Sequence, residues 1–278
     1  MVTGDGFQPP PSELALNHLG AWVITGAAVV LIVVALGYCV VETLRLRSSL
    51  PVVVFVSSMV WMPIEAFVDI PMALLHNPDN PWILLTVHDR PLPLYVASVG
   101  AAFFLGAWGF AQLILRGASM KTLLILGVGL GVLDWILEMA SAQMGVIAYY
   151  GNNPSLVFGL PVYAMVQNIG VYILQALALL WLAPRLRGWK SLLMLPVIPS
   201  IYIAYAFGCT WPAYMAVQSQ AGPLVAWPAI LLAVTMNIVI PLIALQAYYQ
   251  SKRGSAAQQV SDSGGATAGS AADIAAAR

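Results

Sequence analysis

The sequence predicts an all-α polytopic membrane bundle of seven transmembrane helices. Three observations carry this. The chain of 278 residues is 60% hydrophobic and only 8% charged, whereas soluble domains carry about 25% charged residues; its mean hydropathy is +0.86. Seven apolar stretches reach the ~20 residues that a helix needs to cross a bilayer. Lysine and arginine fall almost wholly in alternate connections between those stretches.

The spans are expected at 19–42, 50–75, 92–115, 122–146, 158–183, 191–215 and 223–248. They divide the chain into an outer N-terminal segment 1–18, a transmembrane domain 19–249 and a disordered cytoplasmic tail 250–278 rich in Ala, Ser, Gly and Gln. Residues 1–18 are polar, contain proline and lack the basic start of a cleavable signal peptide. Of eleven basic residues, ten flank the same side of the spans: Arg45, Arg47, Arg116, Lys121, Arg185, Arg187, Lys190, Lys252, Arg253 and Arg278. Arg90 alone lies on the other side. The positive-inside bias therefore puts the N-terminus outside and the C-terminus in the cytoplasm. A formal net charge of zero offers no basic surface for nucleic acid. Cys39 and Cys209 both fall in apolar stretches and are expected as buried free thiols.

Four carboxylates occupy costly positions. Glu65 and Asp69 lie in span two, Asp134 and Glu138 in span four, each pair at i, i+4 and so on one helix face. Ionisable groups within a span usually face a bundle interior or a wet cavity and mark function. The two pairs also sit in similar surroundings. Glu65 and Asp69 are followed by His76-Asn77-Pro78-Asp79-Asn80-Pro81 and Leu92-Pro93-Leu94-Tyr95. Asp134 and Glu138 are followed by Tyr149-Tyr150-Gly151-Asn152-Asn153-Pro154 and Leu160-Pro161-Val162-Tyr163. The acids match at an offset of 69, Asn-Pro at 73 and Leu-Pro-x-Tyr at 68. Spans two-three and four-five thus read as a helix-pair internal repeat, with proline opening each return helix.

At 1.5 Å per residue, Glu65 and Asp69 lie ~22 and ~28 Å from the cytoplasmic end of span two, Asp134 and Glu138 ~18 and ~24 Å along span four. Gln167 and Asn168 in span five, Tyr202 in span six and Asn237 in span seven are polar groups expected at similar depths. Trp61 and Trp135 adjoin the acids. One polar pocket is expected toward the outer leaflet, with aromatic walls and with Arg90 and His88 folding over it. Close carboxyls in low dielectric resist ionising together, so some of the four are expected to hold a proton near neutral pH. That places an acid beside a carboxylate base, the equipment for general acid–base catalysis on a lipophilic substrate.

Other uses of buried acids stay open. They can be structural, bonded across helices, or part of a proton-coupled transporter or channel, although span one has no ionisable group before Glu42 at its cytoplasmic end and spans two and four hold no acid in their inner halves. Carboxylates and Asn can hold a divalent ion. Acid-rich motifs of membrane prenyltransferases do so, but they need basic partners for a diphosphate, and only Arg90 and His88 are at hand. No metal ligand set is assigned, and His76 reads as a turn residue. A retinal protein is excluded in practice: span seven has Asn237 at mid-depth and no lysine before Lys252.

The acid pair of span two, Tyr149-Tyr150-Gly151-Asn152-Asn153-Pro154, Phe158-Gly159-Leu160-Pro161 and Asn168 resemble the AveC-like spirocyclases, actinobacterial membrane proteins, over residues 55–240. In plan the chain is also similar to the seven-span membrane terpene cyclases, although those carry an essential acid in a late span where this chain has Asn237. The first resemblance implies closure of a hydroxy-ketone polyketide to a spiroketal; both imply acid-catalysed cyclisation of a polyketide- or terpenoid-like substrate, without a cofactor, in a biosynthetic pathway. The reading is an intramembrane cyclase or isomerase of the bacterial plasma membrane. Glu65 or Asp134 donates a proton and Asp69 or Glu138 accepts one; Gln167, Asn168, Tyr202, Asn237 and Arg90 bind the substrate, and Trp61 and Trp135 line the cavity.

Overall fold

A computed structural model describes residues 7–186 and 188–276, with side chains to Lys252. Residues 1–6, Arg187 and Arg278, which enter the expected N-terminal segment and the charge count, lie outside the described residues, as does the side chain of Arg253. Seven helical stretches are long and apolar enough to cross a membrane: His18–Leu46, Leu50–Met72, Leu94–Leu115, Met120–Gln143, Val162–Leu182, Gly188–Gln218 and Pro223–Lys252. The chain is an integral membrane protein built mainly of helices.

Each boundary has a local cause. Helix α1 (His18–Leu46) starts where the Asn17 side chain accepts from the amide of Gly20 at 2.9 Å and ends at Arg47 in the left-handed region. Its buried stripe is made of small residues, Ala21, Ala28, Ala35 and Cys39, which let it lie close against its neighbours while Val and Leu face outward. The second stretch is two helices, α2 (Leu50–Met59) and α3 (Trp61–Met72), broken at Val60. Pro63 has no N–H to give to the carbonyl of Met59, so the ladder cannot run through that turn. The acids of α3 therefore stand on a short, separately aimed helix that ends at Ala73 (φ 57).

Strands β1 (Leu74–His76), β2 (Ile83–Val87) and β3 (Arg90–Pro93) follow, then α4 (Leu94–Leu115). The next stretch repeats that order: α5 (Met120–Gln143), β4 (Ile147–Tyr149), β5 (Leu156–Val157), β6 (Leu160–Pro161) and α6 (Val162–Leu182). Pro93 and Pro161 are the N-caps of α4 and α6. The six strands are not part of the all-α expectation. Apolar periodicity hides them, because two to five residues are too few to show a period of two. β2 pairs with β3 and β5 with β6 as hairpins. β1 pairs antiparallel with β4 in the register Leu74↔Tyr149, Leu75↔Ala148 and His76↔Ile147. All of this lies at one end of the bundle, the hairpin end.

A 3₁₀ segment (Gly188–Met194) leads into α7 (Val197–Gln218), and α8 (Pro223–Ala276) closes the chain. The α8 backbone stays helical past Lys252 to Ala276, where a disordered tail is expected from composition. Alanine, the strongest helix former, is frequent there.

Helices α4 and α6 pack against each other at the centre, with α1 and α2 on α4, and α7 and α8 on α6. α3 lies against α4 and α7. α5 leans on α6, where Gly127 and Gly131 accept the side chain of Ile169, and its opposite face is exposed Leu, Ile and Val. At the end away from the hairpins, buried Glu42 accepts from Arg45 at 2.6 Å and from the indole of Trp108 at 3.1 Å, which explains one acid outside the two pairs.

Candidate functional site

The β1–β4 pair fixes the distance between the ends of α3 and α5, and each helix brings its acids within two turns of that end. Glu65 and Asp69 are 8% and 1% exposed. Glu138 interacts electrostatically with both, and Asp134 with Glu138. Of the α5 acids predicted from sequence, Glu138 comes within electrostatic range of both α3 acids, while Asp134 reaches Glu138 on its own helix. Counted from Met120, Asp134 and Glu138 lie ~21 and ~27 Å along α5, which matches the depth of the α3 pair.

The α5 pair is held by α6 and β4. The amide nitrogen of Asn168 donates to Asp134 Oδ2 at 2.6 Å and to Glu138 Oε1 at 3.3 Å. The hydroxyl of Tyr149 donates to Glu138 Oε2 at 3.1 Å. Burial first, then the Glu138 carboxylate, push that phenol well above the ordinary tyrosine range, so Tyr149 stays a donor. Both oxygens of Glu138 thus receive a hydrogen bond.

The α3 pair is differently placed. His76 sits in β1, not in a turn, with Nε2 3.3 Å from Asp69 Oδ2. Its Nδ1 is 2.5 Å from the hydroxyl of Tyr95, which also lies 3.4 Å from the carbonyl of Val146. Glu65 Oε2, Asp69 Oδ1, His76 Nε2 and the indole nitrogen of Trp61 are all buried without a hydrogen-bond partner. Trp61 packs on Tyr202 (ring centroids 4.0 Å apart) and Phe103 (5.7 Å) and lies beside Glu65. Trp135 is half-buried, with its indole nitrogen buried and unpartnered.

Arg90 folds inward as expected and is 7% exposed. It donates to the carbonyl of Leu74 at 3.2 Å and to the hydroxyl of Tyr150 at 2.5 Å, and its charge is felt at Asp69. It braces the hairpin end. His88 packs edge-on against Phe67 instead, ring centroids 5.2 Å apart. Gln167 donates to Tyr202 at 2.9 Å and accepts from Thr210 and Tyr214 at 3.0 and 2.9 Å. Asn237 donates to Thr210 at 2.9 Å, and Tyr205 to the carbonyl of Asn237 at 2.8 Å. Gln167 therefore holds Tyr202 directly and Asn237 holds Gln167 through Thr210; both N–H groups of Asn237 and one of Gln167 are committed to protein. α6 starts at Val162, so Gln167 and Asn168 lie near its hairpin end and not halfway along it.

Sequence reasoning missed His76, Tyr95 and Tyr149. The available signal was position: each borders a proline or glycine turn directly after an acid-bearing span or opens the return helix. Comparisons with protein-family models, with curated proteins and with solved structures find no match to this chain.

Proposed function

We propose that the four-acid site of this membrane protein performs cofactor-independent acid–base cyclisation or isomerisation of a lipophilic, polyketide- or terpenoid-like substrate. The observation that carries the reading is the approach of Glu138, from the half-buried Asp134–Glu138 pair, to the buried Glu65–Asp69 pair, with unequal hydrogen bonding. Glu138 accepts from both Tyr149 and Asn168 and is equipped to carry negative charge. Glu65 has a buried oxygen with no partner and is equipped to carry a proton. In ring closure, Glu65 or Asp134 gives its proton to a carbonyl or epoxide oxygen. A substrate hydroxyl attacks the adjoining carbon, the C–O bond forms, and Glu138 or Asp69 takes the hydroxyl proton. A second closure to a spiroketal expels one water: the carboxylic acid formed at Glu138 or Asp69 protonates the hemiketal hydroxyl as it leaves, the second substrate hydroxyl forms the new C–O bond, and the carboxylate left at Glu65 or Asp134 takes its proton, which restores the starting state. Trp61, Tyr202 and Trp135 supply aromatic walls for the apolar body of the substrate, and the resemblance to the AveC-like spirocyclases agrees with this chemistry.

The reading includes the orientation given by the basic residues, with the hairpin end outside a bacterial plasma membrane. It also includes the repeat. The β1–β4 register is symmetric about Leu75 and Ala148, which are equivalent at the offset of 73 shared by the Asn-Pro turns. That is what a pseudo-two-fold axis between two copies of helix–strand–hairpin–helix produces.

The test is product analysis after heterologous expression with lipophilic hydroxy-ketone and epoxide substrates. Wild type is expected to give a cyclised product, and Glu65→Gln and Asp134→Asn to give none while inserting and folding normally. Full turnover in both variants removes the catalytic account. Proton-gradient-driven uptake into vesicles, with no new product, would replace it with a transporter.

A further inference from the structure

Outside the donors that serve Glu138, the site holds three buried ligand-type atoms without a well-formed hydrogen bond. Glu65 Oε2, Asp69 Oδ1 and His76 Nε2 lack hydrogen-bond partners, and their residues are 8%, 1% and 4% exposed. One donor atom from each residue lies within 4.8 Å of the other two. His76 settles how the cluster is built. If Tyr95 commits its hydroxyl hydrogen to the carbonyl of Val146, its oxygen is left to accept from Nδ1–H of His76. The Nε2 lone pair then points at two carboxylates. Nε2 lies 3.3 Å from Asp69 Oδ2, a spacing that two ligand atoms sharing one ion can adopt. Among the described residues, the basic side chains felt at Asp69 are His76 and Arg90, and Arg90 is already bonded to Leu74 and Tyr150.

We propose that Glu65, Asp69 and His76 form a binding site for one divalent first-row metal ion. One imidazole with two carboxylates is a mixed donor set that suits Zn²⁺ or Mn²⁺ better than Ca²⁺ or Mg²⁺. Tyr95 is the outer partner that fixes the ring, as such partners do for metal-ligating histidines. Donors about 2.1 Å from a shared ion must draw closer together than the present spacing. A bound ion neutralises the α3 acids and offers a Lewis-acid position facing Glu138. With an ion bound, Glu65 and Asp69 are its ligands and Asp134 and Glu138 are left to move protons, so this inference replaces the cofactor-independent roles of Glu65 and Asp69 and does not rest on them.

The test uses the full chain, purified in detergent without chelator from cells supplied with Zn²⁺ and Mn²⁺. Elemental analysis is expected to find one equivalent per chain in wild type and in Asp134→Asn. In His76→Gln and Asp69→Asn, affinity for added Zn²⁺ is expected to fall at least tenfold, read as loss of the Zn²⁺-induced rise in Tm. Should those variants fail to fold, Co²⁺ added to stripped wild type gives a visible d–d spectrum that reports nitrogen ligation. No bound metal, no Tm rise with Zn²⁺ or Mn²⁺ and no Co²⁺ spectrum in wild type overturns the proposal. Undiminished binding in His76→Gln and Asp69→Asn also overturns it, as an adventitious ion only. A metal-free protein whose turnover is still abolished by Glu65→Gln and Asp134→Asn removes the ion and leaves the acid–base reading standing.

Discussion

Leu75 lies opposite Ala148 at the centre of the β1–β4 pair. Through that pairing the ends of α3 and α5 are tied together, although α3 itself packs on α4 and α7 and α5 leans on α6. The strand pair, and not helix packing, brings Glu138 within electrostatic range of Glu65 and Asp69.

The pairing is directly checkable. Facing residues of an antiparallel pair have Cα atoms about 4.5–5.5 Å apart, which a disulfide can span. In a background of Cys39→Ala and Cys209→Ala, the double variant Leu75→Cys, Ala148→Cys is expected to crosslink under mild oxidation. Mass spectrometry of a digest should show the two loops joined. No crosslink at this register would separate α3 from α5.

Asn168 and Gln167 are neighbours with different duties, and their variants should part accordingly. Asn168→Leu removes the donor shared by Asp134 and Glu138 and is expected to lower turnover on the order of 10²-fold, as loss of one donor to a developing charge does. Gln167→Leu strips Tyr202, Thr210 and Tyr214 of a buried partner and is expected to cost about 1–3 kcal/mol of stability, read by thermal unfolding in detergent.

Arg90 braces the hairpin end through two different bonds, one to a carbonyl and one to a phenol. Arg90→Gln is expected to lower stability by about 2 kcal/mol. Arg90→Lys should recover little of it, because an ammonium cannot reproduce two donors in a planar fork. Unfolding midpoints of the two variants decide this.

The central packing depends on missing side chains. A Cβ at Gly106 would collide with the ring of Tyr172, and one at Gly170 with the hydroxyl of Tyr205 and the ring of Pro241. Gly106→Ala and Gly170→Ala are each expected to cost about 1–3 kcal/mol through overpacking. Gly109→Ala, on the same helix as Gly106 with open space around it, is the control and should not destabilise.

Seven spans were legible because lipid demands ~20 apolar residues per crossing, and the observed limits differ from the expected ones by a few residues. Glu65, Asp69, Asp134 and Glu138 were legible for the same reason: a charge is costly there, so its presence is informative. Arg90 was legible as the lone basic residue on its side. His76, Tyr95 and Tyr149 were not, because an imidazole or phenol in a connection is common and cheap. Their use depends on which atoms fold beside them. Gln167 and Asn168 are adjacent in sequence and point to different partners, a distinction no pattern of residue types contains.

The sequence by itself determined how often the chain crosses and which helices carry acid, because hydrophobic length and the cost of burying charge are properties of composition along one dimension. Only the tertiary structure decided that Glu138 comes near the acids of α3, that Asn168 bridges one pair and that His76 joins the other. Those outcomes follow from the broken helix before Glu65 and from strand pairing between two connections 73 residues apart, and hydrogen bonds between distant segments leave no periodic trace in the chain.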